Sequence, residues 1–152
     1  MNPRCIELHG SLTLDDIPHV RRFVERIHRG VVPNGDDISR LAMATHELLE
    51  NAVKFSIDGG AWLRVEIDDA SRVCITTRNR AAPADLDDLR AIASELESAS
   101  NPMVVYLGLM RRAPSSRGGL GLGRIAAEAD MQIGLELDGD VVQIQARTEL
   151  VA

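Results

Sequence analysis

Trp62, Val65 and Ile67 are followed by the polar run Asp68 to Ser71 and then by Val73, Ile75 and Thr77. Two short β-rich stretches separated by turn-forming residues predict an antiparallel hairpin. This pairing constrains the chain most, because a sheet must bury an apolar face against further strands or helices. Cys5 to Leu12, with Ile6, Leu8 and Leu12 spaced evenly, predicts a first strand. Ile133 to Leu137 and Val141 to Ala146, around Asp138-Gly139-Asp140, predict a last hairpin.

Helical spacing fills the intervals. Val20, Phe23, Val24 and Ile27 recur at helical intervals after a cap at Asp15 or Asp16 and stop at Gly30. Beyond the breakers Pro33 and Asn34-Gly35, a longer helix capped by Asp36 or Asp37 runs to about Ser56. Leu86, Leu89, Ile92, Ala93 and Leu96 mark a helix from Pro83 to Ser98, and Pro102 opens another through Met110. Ala113-Pro114-Ser115-Ser116 breaks it, and the glycine-rich Gly118 to Gly123 leads into a helix through about Asp130. The expected architecture is one domain over residues 1–152. Its fold class is an α/β two-layer sandwich, a mixed, largely antiparallel sheet with helices on one face.

Charge and composition narrow the partners. Lys plus Arg less Asp plus Glu is 17 − 23 = −6, so the field of the whole chain repels nucleic acid and anionic membrane and leaves a protein or small-molecule partner. Cys5 and Cys74 are too few for a disulfide framework and have no metal-ligand spacing to a histidine. They read as reduced thiols of a cytoplasmic protein. No stretch approaches the ~20 apolar residues of a membrane span.

On the second helix Glu47, Asn51 and Lys54 fall at i, i+4 and i+7 and so share one stripe, with Leu41, Leu48, Ala52 and Phe55 on the apolar face beside it. A carboxylate can take a proton from a hydroxyl, an amide oxygen suits Mg2+, and a lysine suits phosphate. A solvated face with an Asn–Lys pair fits the same spacing. Lys54 is the one lysine among seventeen basic residues, which favours the phosphate reading modestly. Arg117-Gly118-Gly119-Leu120-Gly121-Leu122-Gly123 precedes a helix, where backbone N–H groups can meet an anion at the positive end of the dipole. Plain turn chemistry is the alternative. A dinucleotide fingerprint fails because no first strand precedes it, and a P-loop fails for want of Gly-Lys-Ser/Thr.

Taken together, Glu47-Leu-Leu-Glu-Asn51-Ala-Val-Lys54-Phe resembles the N box of the GHKL (histidine kinase-like) ATPase superfamily, and Gly119-Leu-Gly121-Leu resembles its second glycine box. The chain looks most like the small anti-sigma-factor serine/threonine kinases. Asn79, the helix after it, Tyr106 and the Gly-Gly-Leu-Gly-Leu run also look like the SiaB-type branch. The resemblance implies a Bergerat-type ATP-binding fold with ATP and Mg2+ as cofactors. Glu47 would be the general base and Asn51 the Mg2+ ligand, while Lys54, Arg117, Gly118, Gly119, Leu120, Gly121 and Leu122 would contact nucleotide. It further implies a STAS-like antagonist or a sigma factor as partner, and self-association into a homodimer stays open. Where the family's first glycine box has Asp-x-Gly, this chain has Asn79-Arg80-Ala81. An Asn oxygen can still accept from the adenine amino group, whereas Ala81 replaces the glycine beside the base.

His46 points off the Glu47 stripe and reads as a structural or surface residue, and His9, His19 and His28 share no ligand spacing. Asp85, Asp87 and Asp88 suit the first turn of a helix. Arg111 and Arg112 read equally as a solvated face or as contacts for phosphate or an acidic partner. Two functions follow: a kinase for a STAS-like protein, or a binding module that holds its partner without phosphotransfer.

Overall fold

A computed structural model describes residues 3–112 and 119–150. Strand β1 is Arg4–Ser11, and a single 3-10 turn, Leu14–Asp16, leads into α1, Ile17–His28. Helix α2 is Gly35–Phe55, and the expected hairpin is β2, Gly60–Ile67, with β3, Arg72–Arg80. Helices α3, Pro83–Ser98, and α4, Pro102–Arg111, come next, then α5, Gly119–Glu128. The chain closes on β4, Gln132–Asp138, and β5, Val141–Glu149. The five strands form one sheet in the order β1-β2-β3-β5-β4, and all four pairings are antiparallel. The helices cover one face, as the two-layer reading expects.

Period-two alternation assigns the faces. Ala61, Leu63, Val65 and Ile67 of β2 turn inward with Val73 and Ile75 of β3 and Val142, Ile144 and Ala146 of β5. Trp62 therefore cannot share a face with Val65 and Ile67, as its grouping in the sequence suggests. It lies on the open face, where the Arg78 guanidinium stacks 4.3 Å from the ring centroid. Helix α2 lies against β2 and β3 and is buried along most of its length. Ala44, Thr45 and Ala52 let its backbone approach the neighbouring elements, and Leu41, Leu48 and Phe55 fill the space between.

Several caps differ from those expected. Asn34, rather than Asp36 or Asp37, caps α2, with its Oδ1 accepting from the Asp36 N–H at 2.9 Å. The two aspartates sit in the first turn, where their charge complements the dipole. Asp16 accepts from the Thr13 N–H at 2.8 Å and so organises the 3-10 turn, while Pro18 opens α1 itself. Phe23 is exposed; Ile17, Val24 and His28 are the buried residues of α1. The buried face is rotated by less than a quarter turn from the expected one, with Val24 common to both and Val20 still packed against the core.

Arg40 ties α2 to the far side of the sheet. Its Nε donates to the Ala129 carbonyl at 2.7 Å, and Nη2 reaches the Asp130 carbonyl and Thr148 Oγ1. Asp37, also buried, completes the pair at 2.8 Å. At the end of α1, His28 is wholly buried, its Nδ1 donating to the Val24 carbonyl at 2.7 Å. Its Nε2 has no partner among the described residues. Burial pushes the His28 pKa below the ordinary imidazole value; the bond to Val24 opposes this, and the Arg4 charge adds to it.

The linkage has a definite sign. A histidine with a depressed folded pKa contributes its stability above the unfolded value of about 6.5 and loses it as pH falls below. The loss should reach up to about 1.4 kcal/mol per pH unit. Denaturant titrations between pH 7.5 and 5 should show this decline, and His28→Leu should flatten it. Parallel pH profiles for the two proteins would assign the acid sensitivity to another group.

Candidate functional site

Helix α2 carries its polar residues on two neighbouring lines. His46, Glu50 and Lys54 form one, with His46 Nε2 at 3.3 Å from Glu50 Oε2 and Lys54 Nζ donating to Glu50 Oε1 at 3.3 Å. The Lys54 side chain is 50% exposed. The lysine that spacing groups with Glu47 and Asn51 is thus held on the adjoining line by an i, i+4 ion pair. Glu47 and Asn51 form the other line. Asn51 is buried, and the Glu47 side chain is 16% exposed.

What covers Glu47 is α5. Arg124 Nη1 donates to Glu47 Oε1 at 2.9 Å, across 77 residues of chain. The same guanidinium donates from Nε to Glu128 Oε2 at 2.9 Å. Hydrogen bonds to Glu128 first and Glu47 second raise the Arg124 pKa further, so the cation persists at any ordinary pH. Tyr106 of α4 belongs to this cluster. Burial raises its hydroxyl pKa, and the Glu128 charge adds to the effect. Sequence reasoning missed Arg124. Its spacing from Gly121, three residues on the same helix, puts both on one side, but only the docking of α5 on α2 reveals what that side meets.

The glycine-rich segment is helical sooner than expected. Gly119 is already in α5, so Gly119, Gly121 and Gly123 are helix residues rather than the turn before it. Each is needed by a close neighbour. A Cβ on Gly121 would lie 2.7 Å from Glu47 Oε2, one on Gly119 would lie 2.5 Å from Ile92 Cδ1, and one on Gly123 would meet Leu109 and Tyr106 at 2.9 and 3.2 Å. Close helix approach therefore accounts for the three glycines, and Gly121 brings the backbone of this helix beside Glu47. Leu120 is exposed and Leu122 buried. Arg117 and Gly118 lie outside the described residues, as does the breaker Ala113 to Ser116.

Asn79 is buried near the end of β3 and on its helix-covered side, opposite Val142 of β5, with Nδ2 donating to the Arg80 carbonyl at 3.3 Å. Arg80 pairs with Asp140 at 2.6 Å and with Asp58 at 3.5 Å. Ala81 is buried and donates its N–H to the Asp140 carbonyl at 2.8 Å, and the Arg80 carbonyl accepts from Ile57. The Asn79-Arg80-Ala81 segment thus clamps the α2–β2 connection to the β4–β5 turn. A groove of about 400 Å³ opens beside it, lined by Trp62, Arg78, Asn79 and Arg80 among others. Larger clefts of about 860 and 630 Å³ lie between α3 and β4 and at the opposite end of the sheet, and neither includes a residue of the Glu47 cluster.

Among the described residues no group of three or more His, Cys, Asp or Glu could hold a metal by itself, and no helix is long and apolar enough to cross a membrane. Glu47 and Asn51 together offer two oxygen donors one turn apart. Mg2+ commonly takes only one or two protein oxygens when phosphates complete its shell, and here the Glu47 oxygen would have to leave Arg124 to serve as one.

The antiparallel sheet with helices on one face defines an α/β two-layer sandwich. No protein-family model matches the chain, and no curated protein matches it significantly in sequence. The fold does have a solved counterpart. A chain in the crystal structure of the SiaB–SiaC complex from Pseudomonas aeruginosa superposes with a TM-score of 0.68 at 13% identity, over 94% of this chain and 88% of that one.

Gly121 and Gly123 of α5 should respond differently to alanine. At Gly123 the new methyl meets a tyrosine ring and backbone, and overpacking of ~1–3 kcal/mol should outweigh a helix-propensity gain of about 1 kcal/mol. At Gly121 it meets only the tip of a carboxylate, so stability should stay within about 1 kcal/mol while Glu47 swings off Arg124. Chemical denaturation of both variants ranks them, and a Gly121→Ala more damaging than Gly123→Ala would contradict the packing.

Proposed function

We propose that this chain is an ATP-binding regulatory protein with its nucleotide site between α2, the end of β3 and the start of α5. On this reading it passes the γ-phosphoryl group to a serine or threonine of a small STAS-like antagonist. The observation that most supports it is the meeting of Glu47 with Gly121: an acid with a buried amide one turn on along its own helix lies against the first turn of a glycine-bearing helix. The solved relative in fold comes from a two-protein complex, which supports a protein partner here.

The residues take the following parts. Backbone N–H groups of Gly119, Leu120, Gly121 and Leu122 bind phosphate, joined by Arg117 and Gly118 of the same motif. Lys54 reaches a phosphate by leaving Glu50. The Asn79 amide oxygen accepts from the adenine amino group. Asn51, with Glu47 nearby, would hold Mg2+, which supplies positive charge against the phosphates. Glu47 takes the proton of the partner's hydroxyl. In the described conformation that carboxylate is held by Arg124 and covered by Gly121, so α5 must move off α2 before it can act. Phosphate oxygens compete with Glu47 for the Arg124 guanidinium and favour that release.

A second reading has a specific observation behind it. In the described conformation the Glu47 carboxylate is occupied by the Arg124 guanidinium at 2.9 Å, which favours a module that binds its partner without transferring phosphate. Calorimetry with ATP, with and without Mg2+, and radiolabel transfer to a purified STAS-domain protein separate the two readings. Asn51→Ala should abolish the Mg2+ dependence of binding. Glu47→Gln should leave ATP affinity unchanged or slightly better yet slow transfer by about 10²–10⁴-fold. Nucleotide heat without transfer supports the binding module, and no heat at millimolar ATP ends the nucleotide reading.

A further inference from the structure

Eight large apolar side chains are exposed among the described residues, and five of them fall between positions 103 and 120: Met103, Val104, Leu107, Met110 and Leu120. The other three, Leu14, Phe23 and Ile57, are scattered over distant parts of the sequence, so the clustering is not the usual background of single exposed residues. Four of the five lie on α4 at i, i+1, i+4 and i+7, which is one helix face, while Tyr106 and Leu109 bury the opposite face. Val104, at 67% exposure, is the most exposed of the five. Gly108, one turn on from Val104, leaves a notch of open space where a side chain would stand, and Met103 and Met110, both to one side of it, can adapt to a partner's shape.

The surrounding charge is unlike the rest of the chain. Between Glu97 and Glu128 there is no acidic residue, while Arg111, Arg112, Arg117 and Arg124 all fall there, in a protein whose net charge is −6. Arg112 and Arg124 are engaged with Glu95 and with Glu47 and Glu128. Arg111 ends the apolar stripe, exposed and four residues beyond Leu107.

We infer that this face of α4 docks an amphipathic helix of a partner protein, apolar on the side that enters the Val104–Gly108 notch and acidic along the edge that meets Arg111. Other occupants fit less well. A second copy would bring another Arg111 against this one and another net charge of −6, both repulsive. An anionic membrane would feel the negative field of the whole chain, whereas a single helix feels mainly the patch within a screening length of about 8 Å. The inference deepens the partner-binding part of the proposed function and requires no nucleotide.

The test uses the full chain and two fluorescent 20-residue helical peptides with the same leucine face, one flanked by glutamate and the other by lysine. Anisotropy should show the glutamate peptide binding at least tenfold more tightly, with the gap narrowing as salt rises. Val104→Asp combined with Leu107→Asp should weaken it at least tenfold, and Arg111→Glu should reverse the preference. Each variant should keep the wild-type melting temperature and ATP heat, so a failed nucleotide site and a failed docking face give different results. Equal binding of the two peptides, or indifference to both variants, overturns the proposal. So does tighter binding to phosphatidylserine vesicles than to the peptide, or a dimer in sedimentation that Val104→Asp with Leu107→Asp dissociates.

Discussion

Helix α2 is packed against β2 and β3, with α1 and α5 beside it, and the rest of the molecule is arranged around that burial. Leu41, Ala44, Leu48 and Ala52 have essentially no exposed surface. A helix so enclosed has few directions left for polar side chains, and those it does carry must find partners. Thr45 satisfies its hydroxyl on the Leu41 carbonyl, and Arg40 with Asp37 anchors the first turns to the α5–β4 connection. Glu47 emerges where α2 meets α5. Its neighbours are consequently decided by the packing of two helices rather than by solvent.

The glycines of α5 follow from the same constraint. A side chain at 123 would push α5 off the Leu109–Tyr106 pair, and side chains at 119 and 121 would displace the ends of Ile92 and Glu47. Their absence allows the approach that brings Arg124 to Glu47. One set of glycines thus serves two ends: it packs the helix closely and leaves the first turn of backbone bare beside a carboxylate. Packing alone accounts for the spacing, so the chemistry proposed for the site rests on the meeting of Glu47 with Gly121, with Asn51 one turn on along α2, and not on the glycine pattern.

The end of β3 is the other fixed point. Arg80 bridges Asp58 and Asp140, and the Gly60 N–H and the Ser56 hydroxyl hold the Asp58 carboxyl below its usual pKa. These exposed pairs are each weak, but together with the backbone bonds from Ile57 and Ala81 they tie three connections into one corner. Asn79 sits in that corner with its position set by the ladder to Val142.

The sequence alone determined the hairpin β2–β3, the closing hairpin β4–β5, the extent of α3 and the i, i+4 relation of Glu47 to Asn51. All of these rest on local periodicity and turn chemistry, which need no knowledge of distant contacts. Caps and faces were less legible. Asn34 competes with Asp36 and Asp37 for one role, and Phe23 has the spacing of a core residue yet faces solvent, because burial depends on what packs opposite. Only the tertiary structure decided that Lys54 turns to Glu50, that the glycine-rich run is already helix, and that Arg124 holds Glu47. Those outcomes depend on how α5 docks against α2 across 77 residues of chain, and no local pattern encodes that distance.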